Sequence, residues 1–239
     1  MRILAIEASS QVASVAILTD DVITAEYTVN HKITHSQTLM PMLDEIVKMT
    51  ETDLKTIDAI AISGGPGSFT GLRIGSATGK GLAQALDIPI VHVPTLEGMA
   101  CNAYGFEGIV CPIMDARRSQ VYTGVYRMSV NGLEVAMDGC AIAIEELVAE
   151  LKKYDEKVLF IGDGIPVFKE YLSGELLDRA VFAPANMNRQ RAASVAILAV
   201  KYYEEGKAIP AKDHLPEYFR SSQAEREREA KLLKDNNGN

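Results

Sequence analysis

A glycine-rich run, SGGPGSFTGLRIG at positions 63–75, is the part of this sequence best suited to bind an anion. It joins an apolar, strand-like segment to a helix-like one, so it offers backbone N–H groups and a helix N-terminus to a negative charge. The Walker pattern of nucleotide-binding loops would need a glycine where Ile74 stands, and the glycines of the run are spaced one residue too far for G-x-G-x-x-G. The run is therefore either a phosphate-binding loop or a tight structural turn, and the sequence does not decide between them.

Two further turns carry charged groups. Asp115, Arg117 and Arg118 follow one apolar segment, and Gly162-Asp163-Gly164 follows another. An acid beside two arginines can clamp a phosphate or substrate, although a salt-bridged turn is the more common outcome. The second turn is likewise either a nucleotide contact or an ordinary turn.

The sequence gives little support for a metal site or a catalytic nucleophile. His31 and His35 are four residues apart, but both fall in a predicted loop, where helical spacing loses its meaning. Three cysteines, Cys101, Cys111 and Cys140, lack C-x-x-C spacing, which indicates buried thiols in a reducing compartment. No Ser-His-Asp or Cys-His set has a recognisable spacing.

Apolar periodicity predicts the elements that would position these residues. In the first half we predict strands at 3–8, 12–18, 22–29, 57–62 and 89–93, and helices at 36–50, with Ser36 as N-cap, 71–86 and 95–103. In the second half we predict strands at 109–115, 120–128, 133–139 and 157–161, and helices at 143–153, 166–172 and 189–205. Both halves read strand-strand-strand-helix-strand-helix, which indicates an α/β fold with an internal duplication; chance similarity between two α/β halves is the alternative.

Two such halves usually face each other across a cleft. We expect Glu7 and Asp115, which end the first strand of each half, to point into it. The predicted units are 1–104, joined by the helix 189–205, then 105–188, and a charged tail at 206–239. From Glu217 onward the chain has no apolar stripe. That is typical of a solvated helix fraying into disorder, and docking onto a partner is the alternative.

The helix at 71–86 carries small residues on one face. Gly71, Gly75, Gly79 and Ala83 recur every four residues. Each glycine costs roughly 1 kcal/mol relative to alanine inside a helix. We therefore predict close approach of another backbone, whether a strand, a loop or a helix.

The helix at 36–50 is apolar over about half of its circumference, more than the roughly 100° that one buried face needs. Its apolar residues are Leu39, Met40, Met42, Leu43, Ile46, Val47 and Met49. Two interpretations remain. The helix contacts both its own sheet and a partner, or it is deeply buried in one core.

Composition limits the function. The net charge is −8, whereas a protein that grips nucleic acid alone normally carries a basic patch. Any role in RNA chemistry should therefore run through another protein. No apolar run reaches about 18 residues, and the start, MRILAIEASS, does not read as a signal peptide. We expect a cytoplasmic protein without a membrane partner.

Five segments together resemble the TsaB family, also called YeaZ. They are ILAIEASS at 3–10, HSQTLMP at 35–41, GGPGSFTGLRIGSATGKGLA at 64–83, VPTLEGMA at 93–100 and MDARRSQVY at 114–122, within a resemblance over roughly residues 1–205. The resemblance implies the actin, Hsp70 and sugar-kinase (ASKHA) fold, in which two duplicated α/β halves surround a cleft. This agrees with the duplication predicted from the element order.

The resemblance also implies a function in tRNA modification. Family members partner a paralogous enzyme, TsaD, which transfers a threonylcarbamoyl group to adenosine 37 of tRNAs reading ANN codons, and an ATPase, TsaE, joins them. For this chain it implies a non-catalytic scaffold or activating subunit that meets tRNA through the complex, with a homodimer as an option when it is alone. A nucleotide-dependent phosphotransferase is the alternative, and a peptidase is disfavoured.

By resemblance, the helices at 36–50 and 71–86 would form the pairing surface. Its predicted residues are Leu39, Met40, Met42, Leu43, Ile46, Val47, Gly71, Leu72, Gly75, Gly79 and Ala83. Residues that would retain nucleotide or phosphate binding are Glu7, Ser9, Ser10, Gly64, Gly65, Gly67, Ser68 and Asp163.

One departure from the catalytic paralogue matters. That enzyme carries an H-x-x-x-H metal pair, and Thr95 and Met99 stand at the matching positions here. Neither side chain is a useful ligand for such a metal. We therefore expect no metal and no intrinsic cofactor, while ADP or ATP at the interface of the complex stays compatible with the sequence.

Overall fold

The computed structural model describes residues 1–129 and 132–220. Their strands are β1 Arg2–Glu7, β2 Val12–Thr19, β3 Val22–Asn30, β4 Ala59–Gly65, β5 Ile90–Pro94, β6 Ile109–Arg117, β7 Gln120–Ser129, β8 Gly132–Ala143, β9 Val158–Ile161, β10 Ala180–Phe182 and β11 Ala208–Ile209. Their α-helices are α1 His35–Met49, α2 Phe69–Leu86, α3 Thr95–Ala100, α4 Ile144–Leu151, α5 Ile165–Leu176 and α6 Ala192–Glu204.

The strands form two sheets of matching topology. The first sheet has the order β11-β5-β4-β1-β2-β3 and the second the order β10-β9-β6-β7-β8. In each sheet the first strand of the half pairs antiparallel with the next strand and parallel with the fourth strand of the half. The predicted duplication is confirmed, because β6–β10 repeat the pairing of β1–β5 and β11 adds one edge strand.

Helices cover both faces of the first sheet. Along β1, Ile3 and Ala5 pack toward α6, whereas Leu4 and Ile6 pack toward α1 and α2. This alternation follows from the two-residue period of a strand, and burial on both faces explains why β1 reads as a continuous apolar run. In the second sheet, one face packs against α4 and α5 and the other against α3.

Several predicted boundaries need correction. The cap of α1 is Thr34, with φ −69° and ψ 140°, because Ser36 already lies within the helix. Helix α2 begins two residues early, since Ser68 accepts a hydrogen bond from the Gly71 N–H and so caps the helix before Phe69. The segment predicted as a helix at 95–103 changes to a 3-10 turn after Ala100.

The tail predicted from Glu217 onward falls partly outside the described residues, which end at position 220. The part that is described does not behave as predicted. Tyr218 and Phe219 pack against other aromatic side chains of the chain, at ring-centroid distances of 4.5 and 6.2 Å. Among the helices that the structure describes, none is long and apolar enough to cross a membrane.

Candidate functional site

The glycine-rich turn closes onto the turn between β1 and β2. The Ser68 N–H donates to the Ser9 carbonyl at 2.7 Å, and a Cβ atom at Gly67 would lie 2.2 Å from the same oxygen. Gly65 has φ +129°, a conformation that only glycine adopts readily. Gly67 is therefore required by the close approach of two backbone turns, and Gly65 by its own backbone conformation, whether or not a phosphate also binds there.

Glu7 does not face the cleft as predicted. It is 1% exposed, and its carboxylate accepts hydrogen bonds from the Ser9 N–H at 2.6 Å and the Ser9 hydroxyl at 2.5 Å. Burial raises the pKa of this carboxyl, and the hydrogen bonds from Ser9 and Ser63 partly oppose that rise. Glu7 is thus a buried support for the β1–β2 turn, because its Oε1 atom accepts both hydrogen bonds from Ser9.

A cleft of about 500 Å³ lies between the two halves. Its walls come from the β1–β2 turn, the start of α2, the end of β6, β7 and the turn after β9. The lining residues are Ser9, Ser10, Gln11, Gly67, Ser68, Phe69, Thr70, Met114, Asp115, Ala116, Arg117, Tyr122 and Asp163. Of the predicted nucleotide residues, the cleft brings together Ser9, Ser10, Gly67, Ser68 and Asp163. It does not include Glu7, Gly64 or Gly65, because these lie on or behind the buried ends of β1 and β4.

Two acids meet on the side of the cleft that the second half provides. The Asp115 N–H donates to the Asp163 carboxylate at 3.3 Å. Burial raises the pKa of Asp163, while that hydrogen bond and the charge of Arg189 oppose the rise. The Asp115 carboxylate accepts a hydrogen bond from the Arg117 N–H at 2.8 Å. The charged turn is thus an ordered hairpin end that presents Arg117 to the cleft.

Most of the predicted pairing residues belong to the interior of the first half. The buried ones are Leu39, Met42, Leu43, Ile46, Gly71, Leu72, Gly75, Gly79 and Ala83. A Cβ atom at Gly75 would lie 3.1 Å from the Ala8 Cβ, and one at Gly79 would lie 2.4 Å from the Ile62 Cδ1. The predicted close approach of another element is confirmed, and it is made by strands β1 and β4 of the same chain.

Other side chains of these helices do reach the surface. Met40 is 52% exposed, Val47 is half-buried, and Arg73, Ala77 and Gly81 are exposed. Helices α1 and α2 contact each other on the same sheet face, and Arg73 and Ala77 of α2 also line a pocket with Leu215 and Tyr218.

Thr95 and Met99 are both 1% exposed. The Thr95 hydroxyl lies 2.9 Å from the Ser63 hydroxyl, within hydrogen-bonding distance. Met99 belongs to the apolar core around α3. Both side chains are therefore engaged in packing or hydrogen bonding inside the protein.

The contacts of the C-terminal segment with this site were missed by sequence reasoning. His214 is fully buried and its Nδ1 lies 3.0 Å from the Ser76 hydroxyl. The Glu217 N–H donates to the Gly64 carbonyl at 2.7 Å. Only the adjacent aromatics Tyr218 and Phe219 within a charged stretch could have indicated that this segment packs against the protein.

Comparisons with known proteins agree with this architecture. A family model described as TsaD, tRNA N6-adenosine threonylcarbamoyltransferase, matches residues 23–228. The tRNA threonylcarbamoyladenosine biosynthesis protein TsaB of Bacillus subtilis (strain 168) is 34% identical, covering 94% of this chain and 96% of the relative. The protein of the same name from Escherichia coli (strain K12) is 32% identical, with the same coverage of 94% and 96%.

Solved structures show the same relationship. YeaZ from Pseudomonas aeruginosa superposes with a TM-score of 0.77 at 27% identity, covering 91% of this chain and 99% of that one. An activator of a 2-hydroxyisocaproyl-CoA dehydratase from Clostridium difficile reaches a TM-score of 0.51 at 10% identity, over 87% and 97% of the two chains. At that identity the likeness concerns the fold alone, and it agrees with the predicted sugar-kinase-like architecture.

Proposed function

This chain belongs to the TsaB family, and from that premise we propose that it is a non-catalytic subunit in the formation of threonylcarbamoyladenosine in tRNA. It pairs with a catalytic paralogue of the TsaD type and works with a TsaE-type ATPase. It meets tRNA through that complex, in keeping with its net charge of −8. The role implies a cytoplasmic location.

The observation that carries the non-catalytic assignment is the environment of Thr95 and Met99. By the resemblance, both stand where the catalytic paralogue has its metal-binding histidines. In this chain both are 1% exposed, one beside Ser63 and the other in the α3 core. Within residues 1–129 and 132–220, no group of three or more His, Cys, Asp or Glu side chains is placed to hold a metal ion. In this proposal the chain supplies a surface to the reaction, and its partner supplies the metal.

The surface proposed for pairing is the exposed side of α1 and α2. Met40 and Ala77 represent the two helices there. Gly81 adds support, because among the described residues no atom lies within 4 Å of a Cβ built at this position. Packing within the chain therefore requires a glycine at position 71 but does not require one at position 81. A partner helix that approaches closely would explain why a helix-weakening glycine stands there.

Co-purification and sizing with the cognate catalytic paralogue test this proposal. We expect the wild-type chain to form a stoichiometric complex, and Met40→Glu together with Ala77→Arg to abolish it, because charge and bulk would be placed on the contact. Val167→Glu is the matched control, since Val167 is 59% exposed on α5 of the second half. Gly75→Arg is unsuitable, because its side chain would enter the core beside Ala8.

The outcomes separate the parts of the proposal. If the double variant remains folded and pairs as well as the wild type, the α1–α2 surface is wrong although the complex stands. If the wild type never pairs, the subunit role itself fails. Sizing of the chain alone shows whether it forms a homodimer when the partner is absent, and sizing of the double variant alone shows whether the same surface is responsible.

For the cleft we propose no chemistry of its own, and we place any bound ADP or ATP at the interface of the complex. Calorimetric titration with nucleotide and Mg²⁺ tests this. We expect no heat of binding from the isolated chain and saturable binding from the complex. Tight binding and turnover by the isolated chain would instead establish the phosphotransferase alternative.

A further inference from the structure

The segment 212–220, here called the strap, is tied to the first half by a series of polar contacts. Lys80 of α2 donates to the carbonyls of Lys212 and His214 at 3.2 and 2.9 Å. The buried His214 ring lies within hydrogen-bonding distance of the Ser76 hydroxyl, at 3.0 Å. The strap then follows α2 toward its N-terminus, where the Glu217 N–H donates to the Gly64 carbonyl at 2.7 Å.

An aromatic contact continues this attachment at the cleft. The Tyr218 ring stacks on Phe69, with centroids 4.5 Å apart and planes within 7°. Arg73 donates from Nε to the Tyr218 hydroxyl at 3.1 Å, and its guanidinium lies 5.7 Å from the Tyr218 ring. Phe69 lines the cleft, so Tyr218 is fixed at the cleft edge by the first half.

The next two residues of the strap bind the second half. The Phe219 ring meets Tyr122 of β7 edge-on, at 6.2 Å and 78°. It also covers Gly139 of β8, where a Cβ atom would lie 3.0 Å from the Phe219 ring. Arg220 donates to the Ala116 carbonyl at the end of β6, at 2.8 Å. Ala116 and Tyr122 both line the cleft.

We propose that the strap is a clamp that holds the two halves at one separation across the cleft. Tyr218 is bound to the first half and Phe219 to the second, and the Cα atoms of adjacent residues lie only about 3.8 Å apart. The halves also share the core around α3, which contacts strands of both sheets. Opening would therefore be a rotation about α3. A rotation that widens the cleft must break the contacts of Tyr218 or of Phe219, because one peptide unit cannot stretch between them.

This makes the clamp a built-in substitute for a ligand. In hinged two-domain proteins, closure is held by a bound molecule that contacts both sides. Here a segment of the chain contacts both sides, so the closed arrangement persists without a ligand and is lost when the strap leaves. The proposal does not depend on the pairing function, because every contact lies within one chain.

Pulsed electron paramagnetic resonance on the full chain tests the clamp. Spin labels at Gln84→Cys on α2 and Val167→Cys on α5 report the separation of the halves, since both positions are exposed. We expect Cys101 and Cys111 to label slowly, because burial raises the pKa of both thiols to about 12, and Cys140 is replaced by serine in every labelled protein. The test variant is Tyr218→Ala with Phe219→Ala, and the control is Leu215→Ala, a strap residue that is 73% exposed.

We expect one narrow distance distribution for the wild type and for the control, and a broader, longer one for the test variant. Amide exchange should rise at least about tenfold in segments 63–70 and 115–122 of the test variant, while β1 and β9 keep wild-type protection. A folded test variant with the wild-type distance distribution would overturn the proposal. If the double variant does not fold, Tyr218→Ala alone decides in the same way, since it removes the stacking on Phe69 and leaves Phe219 in place.

Discussion

Gly71 and Ala8 lie so close that a Cβ atom at position 71 would fall 2.1 Å from the Ala8 carbonyl oxygen. This contact joins the first turn of α2 to the end of β1, directly beneath the cleft. Ten residues later, Gly81 faces open space, because a Cβ atom at that position would have no described atom within 4 Å. Of these two glycines in the same helix, Gly71 has no room for a side chain and Gly81 has room for one.

Alanine at these two positions should change stability in opposite directions. Gly71→Ala forces a methyl group onto a backbone carbonyl, and we expect it to lower the free energy of unfolding by about 2 kcal/mol or more. Gly81→Ala meets no atom and improves helix propensity, so we expect it to raise that free energy by roughly 0.5–1 kcal/mol. Urea unfolding of both variants measures the difference, and equal effects would contradict the packing described for α2.

The glycine pattern of α2 also shows which part of its packing could be predicted from the sequence. Helical spacing shows that Gly71, Gly75 and Gly79 share a face, and the cost of glycine in a helix implies a close neighbour. Spacing cannot say whether that neighbour is a partner or the chain's own sheet. For that reason the sequence predicted the close approach but left open whether a strand, a loop or a helix makes it.

The element order, the duplication and the glycine-rich turn could be predicted because each depends on local pattern. The position of Glu7 could not, since its burial results from Ser9 folding back onto it after β1 ends. The strap could not either, because its ties to Ser76 and Gly64 join residues more than a hundred positions apart. Such contacts leave no periodic trace in the sequence.

Acidification should weaken the protein through His214. This ring is fully buried, and burial, with smaller effects from the charges of His92 and Lys80, lowers its pKa from 6.5 to about 4. Glu217 faces the same cluster, with its carboxylate 4.0 Å from the His92 ring. Below pH 6.5 the unfolded chain binds a proton that the folded protein excludes. This contribution to stability is therefore complete above pH 6.5, is lost as the pH falls toward about 4, and amounts to at most about 3 kcal/mol.

The variant His214→Asn removes this titration while keeping a polar group that can bond to Ser76. We expect the free energy of unfolding of this variant to depend less on pH between 6.5 and 4 than that of the wild type. His31→Asn, at an exposed position, is the control and should follow the wild-type profile. Parallel profiles for all three proteins would exclude His214 as the group responsible.

The cysteines should be nearly inert in the folded protein. Burial raises the pKa of Cys101 and Cys111 to about 12, and it also raises that of Cys140. At pH 8 the thiolate of Cys101 and Cys111 that reacts with disulfide reagents would then be scarce, so we expect these two to label at least about a hundredfold more slowly than in urea. The half-buried Cys140 should react first. Rapid labelling of Cys111 in the folded protein would show that its strand opens locally.

The hairpin between β6 and β7 stores backbone strain beside the cleft. Arg117 pairs with Gln120 across the two strands, which leaves Arg118 and Ser119 as the loop. All three residues from 117 to 119 have positive φ, of 65°, 56° and 56°. A side chain in this left-handed region costs roughly 1 kcal/mol relative to glycine.

Ser119→Gly should therefore stabilise the protein while leaving both arginines in place. We expect a gain of about 0.5–1 kcal/mol in the free energy of unfolding, because glycine adopts positive φ without a steric penalty. The hydrogen bond that the Ser119 carbonyl accepts from the Ile144 N–H at 3.0 Å involves the backbone alone and is retained. Ser36→Gly, at an exposed position in the first turn of α1, is the matched control and should lose roughly 0.5 kcal/mol, because glycine has a lower helix propensity than serine. Urea unfolding measures the change in the free energy of unfolding of both variants, which we expect to be positive for Ser119→Gly and negative for Ser36→Gly. A loss of stability in Ser119→Gly would mean that the serine side chain stabilises the turn by more than the positive φ destabilises it.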